Sequence, residues 1–447
     1  MLNHAIIEKF QSTSKNTLVS TFLVANVFVW YLTTFTFLKD VARPEDLLSI
    51  VSVNFFALVL SAIISTSFGR FKQRLVFLKY WVLAGVLLSL LFAVINLADF
   101  TILLIVAGVL GVYFGLGMPV CMGYYTANTE PQNRAKFSGI IILLMGLGYS
   151  ILSSIGTAQA LITASTLSIW LIIGLILLTS LRLPEKELAP KDRVSYRSII
   201  SNKTFLLYIV PWFMFSLVND LTQKMNSNYF GSNQFPVFFG QNFFLIENIL
   251  AGVSAIVCGV LADKSGRKRL ALIAFALLGL GYASLTFGGY LTAWFYVCVD
   301  GIAWGVFSML FILTIWGDIA QEKSSEKYYV LGVLPYLLSN ITRTFFGTDI
   351  AAVMGGEKSV FSFAAIFLFI AILPLAYAPE TLSDKIIKNI ELNEYVANAL
   401  KKTKKENAKN KINTPKENLE EQQKTPDTWD DDSPEAIEAK KMAKKYY

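Results

Sequence analysis

The 447-residue chain is 54% hydrophobic and only 16% charged, with a mean hydropathy of +0.52, which excludes an ordinary water-soluble fold of this size. Its formal charge of +7 does not point to nucleic acid: the cations flank apolar runs, where they fix orientation and meet the headgroups of a lipid bilayer. Runs of about 20 mostly apolar residues, each able to cross a hydrocarbon layer of roughly 30 Å, are predicted at 18–38, 46–67, 75–97, 101–125, 138–162 and 163–183. A second set follows at 204–225, 240–262, 269–290, 292–316, 329–352 and 358–377. Only Thr163, Ala164 and Ser165 offer a turn between the fifth and sixth runs, so eleven spans is the competing count.

With twelve spans, 20 Lys and Arg fall on one side before the tail and 4 on the other, at Lys39, Arg43, Lys224 and Lys358. That bias places both termini in the cytoplasm. The first run is too long for a signal h-region and lacks a small-residue cleavage site, so it is expected to remain as a helix. Cys121, Cys258 and Cys298 lie in three different runs without metal or dithiol spacing and read as small packing residues. His4 is the only histidine, which leaves neither a histidine relay nor a His-based metal site.

The chain repeats itself. Gly259-Val-Leu-Ala-Asp263-Lys-Ser-Gly266-Arg267-Lys268-Arg269 has a fainter copy, Phe68-Gly69-Arg70-Phe-Lys72-Gln-Arg74, 197 residues earlier; Leu183-Pro184-Glu185 and Ala378-Pro379-Glu380 are 195 apart. A third pair, Tyr125 to Gly139 and Trp316 to Gly332, is offset by 193. Gly111 with Gly115 and Gly301 with Gly305 give small faces for close helix approach in the fourth and tenth spans.

The expected organisation is a segment 1–17, a six-helix bundle 18–183, a basic linker 184–203, a second six-helix bundle 204–377 and a hydrophilic tail 378–447. In the tail, Ile386, Ile387, Ile390, Tyr395, Val396 and Leu400 follow a helical spacing behind Ser383, and beyond about Lys401 the composition predicts disorder.

In its twelve spans, central basic linker, hairpin motifs after spans two and eight and Pro-Glu closures after spans six and twelve, the chain resembles the major facilitator superfamily over about residues 18–382. The resemblance implies an all-α integral membrane protein with twelve transmembrane helices in two pseudo-symmetric six-helix bundles. It also implies a cytoplasmic gate at Gly259, Asp263, Gly266, Arg267 and Lys268, with Gly69 and Arg70 in the first-half copy and Arg134 in the repeated inner loop. Gly259 would let two helices touch, Gly266 would permit the reversal, and the cations would stay in water. The Asp263 carboxylate would face the start of the fifth span near Ser138 and Gly139, where backbone donors and the helix dipole favour an anion. Thr66 stands where the first copy would carry this aspartate, so an asymmetric gate is expected.

Inside the membrane, ionisable residues concentrate in the second half: Asp220, Glu247, Asp300 and Arg343 lie about 8–14 Å from the outer ends by helical rise. Such groups face a protein interior or a wet cavity and pair with one another, and Asp300 or Glu247 is the natural partner for Arg343. A carboxylate left over can carry a proton near neutrality, so Glu247 or Asp300 is the candidate coupling site. Arg343 either competes for that site or holds an anionic part of a substrate. Asp220 is placed as interfacial. Asn26 and Tyr149 are further polar candidates, and Trp30, Tyr31, Tyr113, Trp212, Phe215 and Trp304 are candidates for stacking on a solute.

These features together predict a secondary active transporter of a small organic solute, coupled to protons, working as a monomer in the plasma membrane without metal or cofactor. The alternatives are an uncoupled facilitator and a non-transporting receptor or scaffold that signals through the tail. No catalytic constellation points to an enzyme.

Overall fold

The computed structural model describes residues 2–68, 74–95, 97, 99–155, 160–180, 194–232, 235–321, 323–346 and 353–382, with 388 and 392. Side chains are described from Lys15 onward, except at 68, 180, 224, 345 and 346. Gly69, Arg70, the linker up to 193 and nearly all of the tail lie outside the described residues.

Six long helices make the first half: α1 Leu2–Val41, α2 Leu47–Phe68, α3 Arg74–Leu91, α4 Phe100–Asn128, α5 Pro131–Ile155 and α6 Ala160–Ser180. A short α7, Tyr196–Ile200, precedes α8 Lys203–Phe230, α9 Val237–Ser265, α10 Arg267–Leu285 and α11 Tyr290–Phe307. The tenth span continues through a π-helical stretch, Ser308–Thr314, into α12 Ile315–Ala320, and α13 Glu326–Phe346 and α14 Glu357–Tyr377 complete the second half. The 138–183 stretch is two helices, so the count is twelve.

Eleven of these elements are long and apolar enough to cross a membrane. The twelfth, α13, is more polar because Glu326, Lys327 and Arg343 lie on it. Four helices contain a proline, at Pro119, Pro211, Pro335 and Pro374. Membrane helices tolerate this because neighbouring helices and Ser or Thr side chains satisfy the freed backbone groups.

The packing follows the duplication. Within the first half α2 packs on α4, α3 on α6 and α1 on α5; within the second, α9 packs on α11, α10 on α14 and α8 on α13. The halves meet through α5 against α9 and α2 against α13, a pair of contacts that the same pseudo-two-fold exchanges.

Small faces carry the α2–α4 pair and its counterpart α9–α11. A side chain at Gly115 would run into the Leu58 carbonyl and the Ser61 hydroxyl of α2, and one at Gly305 into the Ala251 carbonyl and the Ser254 hydroxyl of α9. Because the obstacle is backbone and cannot rotate away, Gly115→Val and Gly305→Val should each cost at least the 1–3 kcal/mol typical of overpacking. The loss is read as a fall in melting temperature of the purified protein; an unchanged value for either would show that these faces are not tight.

Candidate functional site

The face on which Lys and Arg concentrate, called the basic face below, is where most polar contacts between the halves lie. Here α9 ends at Ser265 and α10 begins at Arg267, with Gly266 between them at φ 95, a left-handed conformation that favours glycine. Gly259 lies where a side chain would strike the Ala135 backbone of α5. One turn later, Asp263 accepts from the Ala135 N–H at 3.1 Å and the Lys136 N–H at 2.8 Å. The carboxylate thus meets α5 near its N-terminal end, where the helix dipole favours an anion, about one turn before Ser138 and Gly139.

Arg267 corrects the expectation that the gate cations stay in water, because it is fully buried. It donates to Asp263 at 2.8 Å, to Asp318 at 3.0 Å, and to the carbonyls of Ala262 at 3.0 Å and Pro131 at 2.5 Å. A guanidinium with its donors matched to carboxylates and carbonyls can be buried where a lone ammonium would remain wet. Lys268 is half-buried and donates to the Ala376 carbonyl at 2.7 Å.

Arg134 is buried as well. It pairs with the other oxygen of Asp318 and donates to the Thr129 hydroxyl and to the carbonyls of Thr126 and Thr129. Asp318 therefore sits between an arginine from each half. In the sequence it lies within the repeated stretch Trp316 to Gly332, which gives it no role of its own. Glu380 was likewise only a repeat marker, yet its carboxylate accepts from the Arg267 and Lys268 N–H groups at 2.9 and 3.1 Å and caps α10.

The first-half copy is built differently. Thr66 shares a 2.5 Å hydrogen bond with the Tyr196 hydroxyl of α7, while Arg74, at the start of α3, forms an ion pair with Glu326. Glu326 lies in the first turn of α13, and a side chain at Gly123 would collide with its carboxylate. The anion absent at Thr66 is thus supplied by the partner helix itself, at the end the dipole favours. Both halves have a charged latch, but among the described residues only the second meets its partner helix through backbone hydrogen bonds. Asp263→Asn is expected to open the basic face and lower labelling, from the opposite side, of a cysteine introduced at Asn340; Thr66→Ala should leave it unchanged. Equal labelling of the two variants would remove the asymmetry.

The four ionisable residues at membrane depth divide into two pairs, and neither pair is the one read from sequence. Arg343 approaches Asp220 at 3.8 Å and donates to Gln223, so its partner is Asp220 and not Asp300 or Glu247. Asp220 is buried and accepts from Ser339, which corrects its placement as interfacial. Lys39 of α1 lies within electrostatic reach of both Arg343 and Asp220, so this cluster spans the two halves. Sequence reasoning set Lys39 aside as a loop-side cation.

Glu247 on α9 and Asp300 on α11 form the second pair, within electrostatic reach of each other. Among the described residues, neither carboxylate has an ion pair or hydrogen bond. Alongside runs a chain of hydroxyls and an amide: Asn226 donates to Tyr296 at 2.8 Å, Tyr296 to Tyr282 at 3.1 Å, and Tyr282 shares a 2.6 Å bond with Thr222. Both tyrosines lie within electrostatic reach of Asp300. This pair is therefore inside the second bundle, whereas the Asp220 cluster faces the first.

The remaining candidates separate in the same way. Asn26 is removed from any cavity role: it is buried, donates to the Trp170 carbonyl at 2.7 Å, and lies where a side chain at Gly174 would collide, so it fastens α1 to α6. Trp30, Tyr113 and Trp212 bond within their own halves, to Ser89, the Trp81 carbonyl and the Gly332 carbonyl. Phe215 packs on Phe307. Tyr149 is half-buried, contacts Thr36 at 3.4 Å and reaches Tyr336 of the second half electrostatically. Tyr31 does the same from α1, and Trp304 stands edge-on to Tyr336 with Nε1 on Asn219.

The sequence profile of the Major Facilitator Superfamily matches residues 16–334. No curated protein matches the chain in sequence. Among solved structures, the proton:xylose symporter XylE bound to 6-bromo-6-deoxy-D-glucose is similar, with a TM-score of 0.60, 16% identity, and 83% of this chain and 97% of that one covered. The transporter FucP in its outward conformation gives 0.59, 10%, 82% and 99%, and the E. coli fucose:proton symporter FucP gives 0.61, 11%, 83% and 98%. At these identities the structures share the fold. The profile covers well over half of the sequence and the fold agrees with it: the chain is a multi-pass membrane protein that belongs to the Major Facilitator Superfamily.

Proposed function

We propose that the protein is a secondary active transporter that moves a small organic solute by alternating access and is driven by protons. The observation that carries this reading is the division of the charge at membrane depth into a cluster and a pair: Asp220 and Arg343 with Lys39 of the other half in electrostatic reach, and Glu247 with Asp300 inside the second bundle. The first offers a solute groups from both halves, so that rocking the halves changes its surroundings. The second is a pair of carboxyls at membrane depth with no cation paired to it among the described residues, the chemistry a proton carrier needs. Two of the structurally similar proteins are named as proton symporters, which supports the same coupling ion.

In this reading the basic face is cytoplasmic, both termini are inside, and the protein works as a monomer in the plasma membrane. Uptake into proteoliposomes with and without an imposed pH gradient tests it. Accumulation only with the gradient is expected. Equal flux in both conditions would make the protein a facilitator, and an absence of flux would favour a receptor on this fold.

A further inference from the structure

We infer that the π-helical stretch Ser308–Thr314 is a register switch for the latch on the basic face. It presents Asp318 to both arginines while the face is closed and withdraws it when the stretch tightens to an α-helix. The inference rests on the latch geometry and not on the transport reading. Bonds that reach five residues back define the stretch: the Ile315 N–H donates to the Leu310 carbonyl, the Thr314 hydroxyl to the Met309 carbonyl at 2.7 Å, and the Trp316 indole to the Phe311 carbonyl. Such a stretch holds one residue more than the α-helix it interrupts. α4, its counterpart in the first half, is α-helical from Phe100 to Asn128. The repeat carries the extra residue as well: Tyr125 follows Gly115 by 10 positions, and Trp316 follows Gly305 by 11.

Only the π register fits the closed face. Gly317 lies where a side chain would meet the Tyr329 hydroxyl at 2.7 Å and Thr126 at 3.0 Å, and Asp318 lies between Arg134 and Arg267. When the stretch tightens to α, the helix after it turns by about 100° and each place passes to the preceding residue. Trp316 then falls on Tyr329 and Thr126, and Gly317 falls between the two arginines. One place gains a collision and the other loses its acid, so the α register and the closed face exclude each other.

The bonds that hold the π register also cross between the halves. Thr314 shares a 2.9 Å bond with Ser138 of α5. Tyr329 donates to the Leu313 carbonyl at 2.6 Å and accepts from Thr126 of α4 at 3.0 Å. All of these groups are buried, where an unmade hydrogen bond is costly. Parting the halves breaks both cross-half bonds and removes the support of the two hydroxyls that occupy the Met309 and Leu313 carbonyls. Closure of the face and the register of the tenth span are thereby one two-state element, of the kind in which a small shift at an interface is amplified.

The test is the distance between spin labels at Glu130 and Ser265 in the full-length protein in detergent. Thr314→Val removes a hydroxyl that holds the register and should shift the ratio of open to closed molecules about tenfold, the scale of one or two hydrogen bonds. Thr314→Ser keeps the hydroxyl and should stay closed. Deleting Ile312, a partly buried residue of the stretch, takes out the extra residue, so that the helix becomes α with Asp318 still in its latched place. Added to Thr314→Val, the deletion should restore the short distance, whereas Ile312→Ala should not. A short distance in Thr314→Val would overturn the inference. So would a long distance that the deletion does not shorten, because loss of the Ser138 bond alone would then explain the opening. Tyr329→Phe frees the Leu313 carbonyl without touching Ser138 and needs no deletion; it should open the face as Thr314→Val does, and a closed face in this variant counts equally against the switch.

Discussion

Asp318→Asn is expected to release the basic face. The side chain of Asp318 is 1% exposed and stands between Arg134 of the first half and Arg267 of the second. Asparagine keeps the shape but removes the charge, leaving two buried guanidiniums with Asp263 as the nearest acid. Breaking a buried ion pair by neutralising one partner costs about 3–5 kcal/mol. A rigid globular protein would lose that amount of stability.

Here a second route exists, because both arginines become wet if the halves separate. The loss then appears as a shift between two folded states, and about 3 kcal/mol corresponds to roughly a hundredfold change in their ratio. Spin labels at Glu130 and Ser265, exposed positions on opposite halves of this face, should report a longer, broader distance distribution in the variant. An unchanged distribution in a folded variant would mean that Asp318 is not a latch.

The gate shows which constraints a sequence displays and which it hides. Gly259, Asp263 and Gly266 were legible because they stand together in one short hairpin whose pattern matches the family that the chain resembles. Their partners Asp318 and Glu380, and the replacement latch Arg74–Glu326, involve residues 51 to 252 positions apart. Nothing local requires them. The burial of Arg267 was missed for the same reason, since a cation after a hairpin glycine reads as solvated until two acids and two carbonyls are folded around it.

The twelve spans were visible because each needs length and apolarity, but hydropathy records the membrane and not the helix. α5 begins at Pro131 and α4 ends at Asn128, each reaching past its apolar run into the gate where the contacts are made. The π-helical stretch at Ser308–Thr314 was invisible because its composition is that of any apolar helix; the Thr314 hydroxyl bonds the Met309 carbonyl at 2.7 Å, five residues back. Helical rise placed Asp220, Glu247, Asp300 and Arg343 at similar depth. It could not give their direction around the helix axes, and direction decides that Arg343 meets Asp220 and that Glu247 meets Asp300.

That pairing leads to the other large expected effect. Glu247→Gln and Asp300→Asn should each abolish accumulation while leaving exchange. If the pair holds the coupling proton, a gradient of about one pH unit at one proton per solute supports a tenfold solute gradient, since roughly 1.4 kcal/mol is a factor of ten. Removing either titratable group disconnects solute movement from that gradient, and the accumulation ratio should fall to about one. Exchange of labelled for unlabelled solute needs only the cross-half cluster and the rocking of the bundles, so it should continue. Asp220→Asn should weaken both, because it alters the surroundings of Arg343 and Lys39, the cluster proposed to meet the solute. Measuring steady-state accumulation and counterflow in the same vesicles separates these cases. Tenfold accumulation persisting in both Glu247→Gln and Asp300→Asn would take the proton off this pair, and loss of exchange along with accumulation would place the pair in solute binding instead.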